Sequence, residues 1–168
     1  MPEKTAREAF VRLIQENKGI IIKICNSYCH DRNDREDLAQ EITYQLWRSY
    51  RQYKSGYVFT TWMYRVALNV AISFYRSGRK NIPVVSLEEG ILDLAETTDT
   101  SGLEEDIGLL QQFIRELKEL DRALILLHLE SKNYKEIAEI LGITETNVAT
   151  RLTRIREKLR KNFEAIKK

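Results

Sequence analysis

The stretch Tyr134-Lys-Glu-Ile-Ala-Glu-Ile-Leu-Gly-Ile-Thr-Glu-Thr-Asn-Val-Ala-Thr-Arg-Leu-Thr-Arg-Ile-Arg-Glu-Lys-Leu-Arg-Lys161 decides the fold. Its first part places Ile137, Ala138 and Leu141 on one helical face, and the small Ala138 lets a second helix approach closely. Gly142 supplies the left-handed residue that ends a helix at little cost. Ile143 plugs the turn, and Thr144 is a good N-cap for the second helix. At about 100° per residue, Val148, Leu152, Ile155 and Leu159 then form one narrow apolar stripe. The spacing predicts two helices joined by a tight turn.

The arc opposite that stripe carries Thr146, Thr150, Thr153 and Arg154, with Arg151 on its flank. An apolar back and a short polar and basic front suit a helix that enters the major groove of DNA. From Asn147 to Lys168 there are eight Lys and Arg against Glu157 and Glu164. That surplus fits a phosphate backbone and weighs against an ordinary helical hairpin with a solvated basic side.

The chain has 168 residues and a net charge of only +2, which conceals a strong partition. Residues 1–80 hold 14 basic and 8 acidic side chains. Residues 81–115 hold Arg115 alone against eight acids, and residues 116–168 hold 12 basic and 9 acidic groups. Two basic modules joined by an acidic connector are therefore expected. No apolar run is long enough to span a bilayer, and the N-terminus does not lead into a signal-peptide core, so a cytoplasmic protein without membrane insertion is expected. Cys25 and Cys29 lie one turn apart beside His30, but no second ligand pair closes a metal site, and Cys25 shares a face with Ile21 and Tyr28. No metal and no cofactor are expected. The absence of a Gly-rich phosphate loop, and of a nucleophile or carboxylate partner for His30 and His128, argues against an enzyme.

Everything readable is helical, so the fold class is all-α. Thr5 and Glu8 have the spacing of a capping box for a first helix, and Gly19 divides it from a second, Ile20 to Cys29. Asp34 is the expected cap of a third helix, which buries Leu38, Ile42 and Leu46 and turns Asp37, Gln40, Glu41 and Tyr44 outward. A polar, Tyr-rich loop comes next, Arg51 to Val58. The fourth helix starts near Phe59 with Met63, Val66, Ala67, Val70 and Phe74 as its buried stripe. Trp62, Arg65, Asn69, Ser73 and Arg76 share a second face, with Arg79 and Lys80 beyond. Residues 86–102 show no period and are expected as linker, and helix returns from Leu103 to His128.

Asp34-Arg-Glu-Asp-Leu-Ala-Gln-Glu-Ile-Thr-Tyr-Gln-Leu-Trp47 resembles region 2.2 of bacterial sigma factors. Phe59-Thr-Thr-Trp-Met-Tyr-Arg-Val-Ala-Leu-Asn-Val-Ala71 resembles regions 2.3 and 2.4, and the terminal segment resembles region 4.2. In that order, over nearly the whole chain, they resemble a sigma-70 factor of the extracytoplasmic-function group. The resemblance implies a region 2 domain over residues 1–83, an acidic linker over 84–104 and a region 4 domain over 105–168. It implies that Asp37, Gln40, Glu41 and Tyr44 dock on core RNA polymerase. For the minus-10 element of promoter DNA it implies Tyr53, Lys54, Tyr57, Thr61, Trp62, Arg65, Asn69, Arg76, Arg79 and Lys80, with Asn69 at the position that reads a flipped base. For the minus-35 element it implies Thr146, Asn147, Thr150, Arg151 and Arg154. An anti-sigma factor is the further partner implied.

Two positions depart from the family: Ala149 stands where Lys or Arg is frequent, and Leu117-Lys-Glu-Leu120 where many members carry Leu-Pro. Trp62 suits a core position as well as a stacking surface. The acidic connector suits a polymerase channel as well as a solubilising spacer. The competing readings are a free-standing helix-turn-helix regulator, which would bind duplex DNA alone, and a polymerase-binding decoy, which would tolerate loss of Arg151 and Arg154.

Overall fold

The computed structural model describes residues 2–53, 56, 58–77 and 103–167. Among them all regular structure is α-helical: α1 (Pro2–Glu16), α2 (Lys18–Tyr28), α3 (Arg32–Tyr50), α4 (Phe59–Ser77), α5 (Leu103–Arg115), α6 (Glu119–Leu129), α7 (Tyr134–Leu141) and α8 (Glu145–Lys167). The helices divide into two compact units, α1–α4 and α5–α8. Most of the expected connector, including the acidic groups from Glu88 to Asp99, lies outside the described residues.

In the first unit α2, α3 and α4 pack against one another, and α1 lies on α2. The core is built from Phe10 and Ile14, Ile21 and Ile24, Leu38, Ile42 and Leu46, and Met63 and Leu68, all fully buried. Each such side chain contributes about 2 kcal/mol by leaving water. Cys25 belongs to this core, and burial pushes its thiol well above the ordinary cysteine range, with the neighbouring Cys29 adding to the effect.

Several local expectations need correction. Thr5 does not cap α1, which already begins at Pro2, a residue suited to a helix start because it has no N–H to leave unpaired. The break between α1 and α2 falls at Asn17, and Gly19 lies inside α2. Asn17 leaves helical geometry while its backbone N–H and its side-chain Nδ2 both reach the Leu13 carbonyl, at 3.2 and 2.8 Å. Asp31, rather than Asp34, caps α3: its carboxylate accepts from the Asp34 N–H at 2.7 Å. The buried arc of α4 is wider and rotated. Tyr64, Leu68 and Ala71 join Met63, Ala67 and Phe74 inside, while Val66 and Val70 are half-buried. A helix packed on both α2 and α3 buries a broad arc, which a single narrow stripe underestimates.

The second unit wraps α5, α6 and α7 around α8. The helix expected from Leu103 to His128 is two helices. Lys118 adopts an extended backbone, φ −64° and ψ 157°, at the boundary. Arg122, only 3 % exposed, holds the junction: its Nε donates to the Leu117 carbonyl at 2.9 Å and its Nη2 to the carbonyl of Arg115. A charged fork thus satisfies carbonyls that the end of α5 would leave unpaired. Phe113 and Phe163 meet edge to face, 5.0 Å between centroids, and so tie α5 to α8.

Candidate nucleic-acid interface

The helix-turn-helix is assembled from local chemistry. Asn133 caps α7 by accepting from the Glu136 N–H at 2.8 Å. Gly142 sits at φ 70°, and the N–H groups of Gly142 and Ile143 both donate to the Ala138 carbonyl, at 2.8 and 3.2 Å. The Thr144 hydroxyl accepts from the Asn147 N–H at 3.0 Å and so starts α8. Val148, Leu152, Ile155 and Leu159 are buried, as are Ile137, Ala138 and Ile140. Leu141, expected inside, is half-buried, and Ile140 takes the deeper place.

The opposite side of α8 leaves Thr146, Thr150, Thr153 and Arg154 exposed. Asn147 and Arg151 are half-buried and joined, with Arg151 Nε donating to Asn147 Oδ1 at 2.9 Å. The same guanidinium is paired with Asp121 of α6 at 3.3 Å. Part of the basic surplus of α8 is engaged within the unit. Arg160 lies between Glu157 and Glu164, and Arg156 reaches His128 Nε2 at 2.9 Å and Tyr134 Oη at 3.4 Å. An arginine can only donate, so that ring nitrogen accepts and His128 is neutral. Partial burial lowers the His128 pKa, and the positive charge of Arg156 lowers it further.

In the first unit, Arg65, Asn69, Ser73 and Arg76 are exposed on one side of α4, and Thr61 and Trp62 are half-buried at its start. Tyr53 and Trp62 belong to an aromatic cluster. Tyr53 lies 5.1 Å from Trp62, meets Phe59 edge to face at 5.5 Å and stacks on Tyr50 at 6.3 Å. Tyr50 in turn stacks on Trp47 at 6.3 Å, and both pack on Phe10 of α1. The cluster therefore runs from the helical core to the start of the loop. Lys54, Tyr57, Arg79 and Lys80 lie outside the described residues. On α3, Gln40 is exposed and Asp37, Glu41 and Tyr44 are half-buried. Glu41 Oε1 accepts from Gln45 at 3.0 Å, while Oε2 is buried with no hydrogen-bond partner.

Sequence reasoning missed Asp121 and Tyr50, which hold candidate site residues in place. Asp121 carries no local signal, because the residue it holds lies 30 positions away. Tyr50 would have been found by asking which rings flank the predicted stacking residues. Among the described residues no group of three or more His, Cys, Asp or Glu could hold a metal ion, and no helix is long and apolar enough to cross a membrane.

Comparison with known proteins gives one consistent result. Residues 13–81 match the family described as Sigma-70 region 2, and residues 107–159 match Sigma-70, region 4. The chain is 28% identical to the ECF RNA polymerase sigma factor SigW of Bacillus subtilis, covering 96% of this chain and 92% of that one. It is 26% identical to the RNA polymerase sigma-H factor of Pseudomonas aeruginosa, covering 95% and 89%. Among solved structures, CnrH in complex with the cytosolic domain of CnrY aligns with a TM-score of 0.69 at 18% identity, over 96% of this chain and 94% of that one. The sigma factor RpoE of Bartonella quintana, in complex with the anti-sigma factor NepR, aligns with a TM-score of 0.57 at 17% identity, over 97% of each chain. At these identities the structural matches establish the fold.

Proposed function

We infer the function from the family: the chain belongs to the sigma-70 family, in its extracytoplasmic-function group, and is a promoter-specificity subunit of RNA polymerase. It binds core RNA polymerase, directs it to promoter DNA and assists strand opening, with no catalytic activity of its own and in the cytoplasm. Residues 1–83 dock on the polymerase and engage the minus-10 element, residues 84–104 connect, and residues 105–168 engage the minus-35 element. The observation that carries this reading is the pairing, in one chain and in family order, of two candidate nucleic-acid surfaces. One is an aromatic cluster at the start of α4, the helix that also exposes Arg65, Asn69 and Arg76; the other is a helix-turn-helix that exposes Thr146, Thr150 and Arg154.

The two surfaces suit different states of DNA. Rings and an amide at the start of α4 can hold unstacked bases. The polar front of α8 fits a duplex major groove. Lys54, Tyr57, Arg79 and Lys80 are proposed to extend the first surface along the single strand, with Tyr53 and Trp62 forming its aromatic end and the Thr61 hydroxyl beside them in sequence. Asp37, Gln40, Glu41 and Tyr44 are proposed to face the polymerase, offering acids, an amide and a ring to a basic partner surface. An anti-sigma factor is proposed as the inhibitory partner, by analogy with the complex that contains NepR.

Run-off transcription by bacterial core polymerase, with and without the chain, on genomic fragments that include its own upstream region tests the reading. Initiation at defined start sites that requires the chain, and is lost in Asp37→Ala/Glu41→Ala or in Arg151→Ala, is expected. Salt-sensitive duplex binding by the chain alone, with no dependent initiation, would instead establish a free-standing regulator.

A further inference from the structure

Arg151 projects from the recognition helix, yet that helix does not fix it alone. Its Nη1 lies 3.3 Å from Oδ1 of Asp121, in the first turn of α6, and its Nε donates to Asn147 Oδ1 at 2.9 Å. The two side chains of the ion pair are 38% and 26% exposed, so the contact is neither a loose surface pair nor a sealed one. Nε and one Nη1 hydrogen are taken, which leaves Nη2 and the rest of Nη1 to meet a ligand. Both acceptors stand on helices, so the plane of the guanidinium is set before any DNA arrives.

From this geometry we infer that Asp121 is a positioning residue for Arg151 and sets the sequence discrimination of α8. The inference rests on the reading of α8 as the minus-35 helix. An unrestrained arginine is a mobile cation that pairs with the nearest phosphate whatever the sequence. Held by Asp121 and Asn147, the same group can donate only where the groove presents an acceptor in its plane, and base edges do so for one sequence and not another. The carboxylate also lies among groups facing a polyanion and opposes sequence-independent attraction. Asp121 therefore acts against affinity and in favour of specificity. A residue with a merely structural role would change both in the same direction.

The test uses holoenzyme reconstituted from core polymerase and the full chain. The probes are a labelled promoter duplex identified by run-off and the same duplex with its minus-35 segment scrambled. Dissociation constants are measured over a salt series for wild type, Asp121→Asn, Asp121→Glu, Arg151→Ala and the Asp121→Asn/Arg151→Ala double variant. Asp121→Asn is expected to tighten binding to the scrambled duplex while lowering the specific-to-scrambled ratio about tenfold. Its salt slope is expected to steepen by about 0.9, as a freed cation finds one more phosphate. Asp121→Glu, which keeps the carboxylate, should retain most of the ratio, and Asp121→Asn should change nothing further once Arg151 is Ala. Equal weakening on both duplexes, or no change on either, while Arg151→Ala lowers the ratio, would overturn the role of Asp121 alone. A ratio unchanged by Arg151→Ala would overturn the reading of α8 and with it the role of Asp121.

Discussion

The two candidate nucleic-acid surfaces of this chain are prepared by opposite means. At the start of α4 the candidate residues lean on rings, with Tyr53 and Trp62 set against Tyr50, Phe59 and, through Trp47, the core residue Phe10. On α8 the candidate residues lean on hydrogen bonds and charge, with Arg151 held between Asn147 and Asp121. Ring contacts are broad and tolerant of the base presented, which suits the holding of unstacked bases. A fixed guanidinium is directional and suits the reading of a duplex edge. In each unit the force that organises the candidate surface is also the kind that its proposed ligand would call on.

A cut through the core beneath α8 breaks the comparison most severely. Leu152 is fully buried, and Leu152→Ala should cost about 3 kcal/mol. Both tryptophans of the chain, Trp47 and Trp62, lie in the first unit, so their fluorescence reports that unit alone. Thermal unfolding of Leu152→Ala should show an earlier loss of helical circular dichroism with the tryptophan transition in place. A tryptophan transition that moves down with it would show that the two units unfold together.

The ring cluster supplies the next largest effect. Trp62 is half-buried against Tyr50, Tyr53 and Phe59. Trp62→Ala should therefore cost about 2 kcal/mol, below the range for a sealed aromatic core site. The loss should fall on the first unit, and promoter opening, followed by 2-aminopurine fluorescence in the minus-10 segment, should fall with it. Trp62→Phe keeps a ring and should restore most of the stability. If both variants open the promoter at the wild-type rate, the cluster organises the fold without serving the DNA.

How much of this was legible from sequence depends on the range of the forces. The helix-turn-helix was readable because its signals lie close together along the chain: Gly142 at positive φ, Thr144 as cap, and the stripe from Val148 to Leu159. The buried Leu38, Ile42 and Leu46 of α3 and the exposed Arg65, Asn69, Ser73 and Arg76 of α4 hold for the same reason, although period alone misplaced Val66 and Val70. The failures sit where two local signals compete or where distant groups decide. Thr5 and Glu8 have capping spacing, but a helix starting at Pro2 runs through them. Asp31 and Asp34 both have the chemistry of a cap, and only the hydrogen bond from the Asp34 N–H separates them. The split between α5 and α6 depends on Arg122 folding back on the carbonyls of Arg115 and Leu117. The ring cluster joins α1, α3 and α4, and the pair of Asp121 with Arg151 joins α6 to α8; neither has a spacing to read.

A smaller effect sharpens the comparison within the second unit. Gly142 holds φ 70°, and a Cβ added there would meet nothing within 4 Å. The penalty for Gly142→Ala is therefore conformational alone, about 1 kcal/mol, with no clash to relieve. Thermal unfolding of the second unit should shift down by a few degrees, and Gly142→Asn, which visits the left-handed region more readily, should shift it less. An alanine variant as stable as wild type would mean that the turn can re-form without positive φ.

The smallest effect separates charge from packing on α8. His128 stands in the last turn of α6, where the helix carbonyls favour a protonated ring. Its pKa nevertheless lies below 6.5, first because partial burial penalises the charged form and then because Arg156 adds its own charge nearby. The neutral ring is thus the native form, and its Nε2 accepts from Arg156 at 2.9 Å. Well above pH 6.5 the ring is neutral in both folded and unfolded chains, and its full contribution to stability is present. As pH falls through that value the unfolded chain takes up the proton first, so stability declines until the folded chain is protonated too. The urea midpoint of the second unit should therefore fall between about pH 7 and pH 5 by more in wild type than in His128→Asn, which has no proton to gain. Arg156→Ala should reduce the same pH dependence without removing it, because burial, the larger cause, remains. A wild-type profile parallel to that of His128→Asn would mean that protonation of the ring is absorbed by solvent, and that Arg156 holds its place by packing alone.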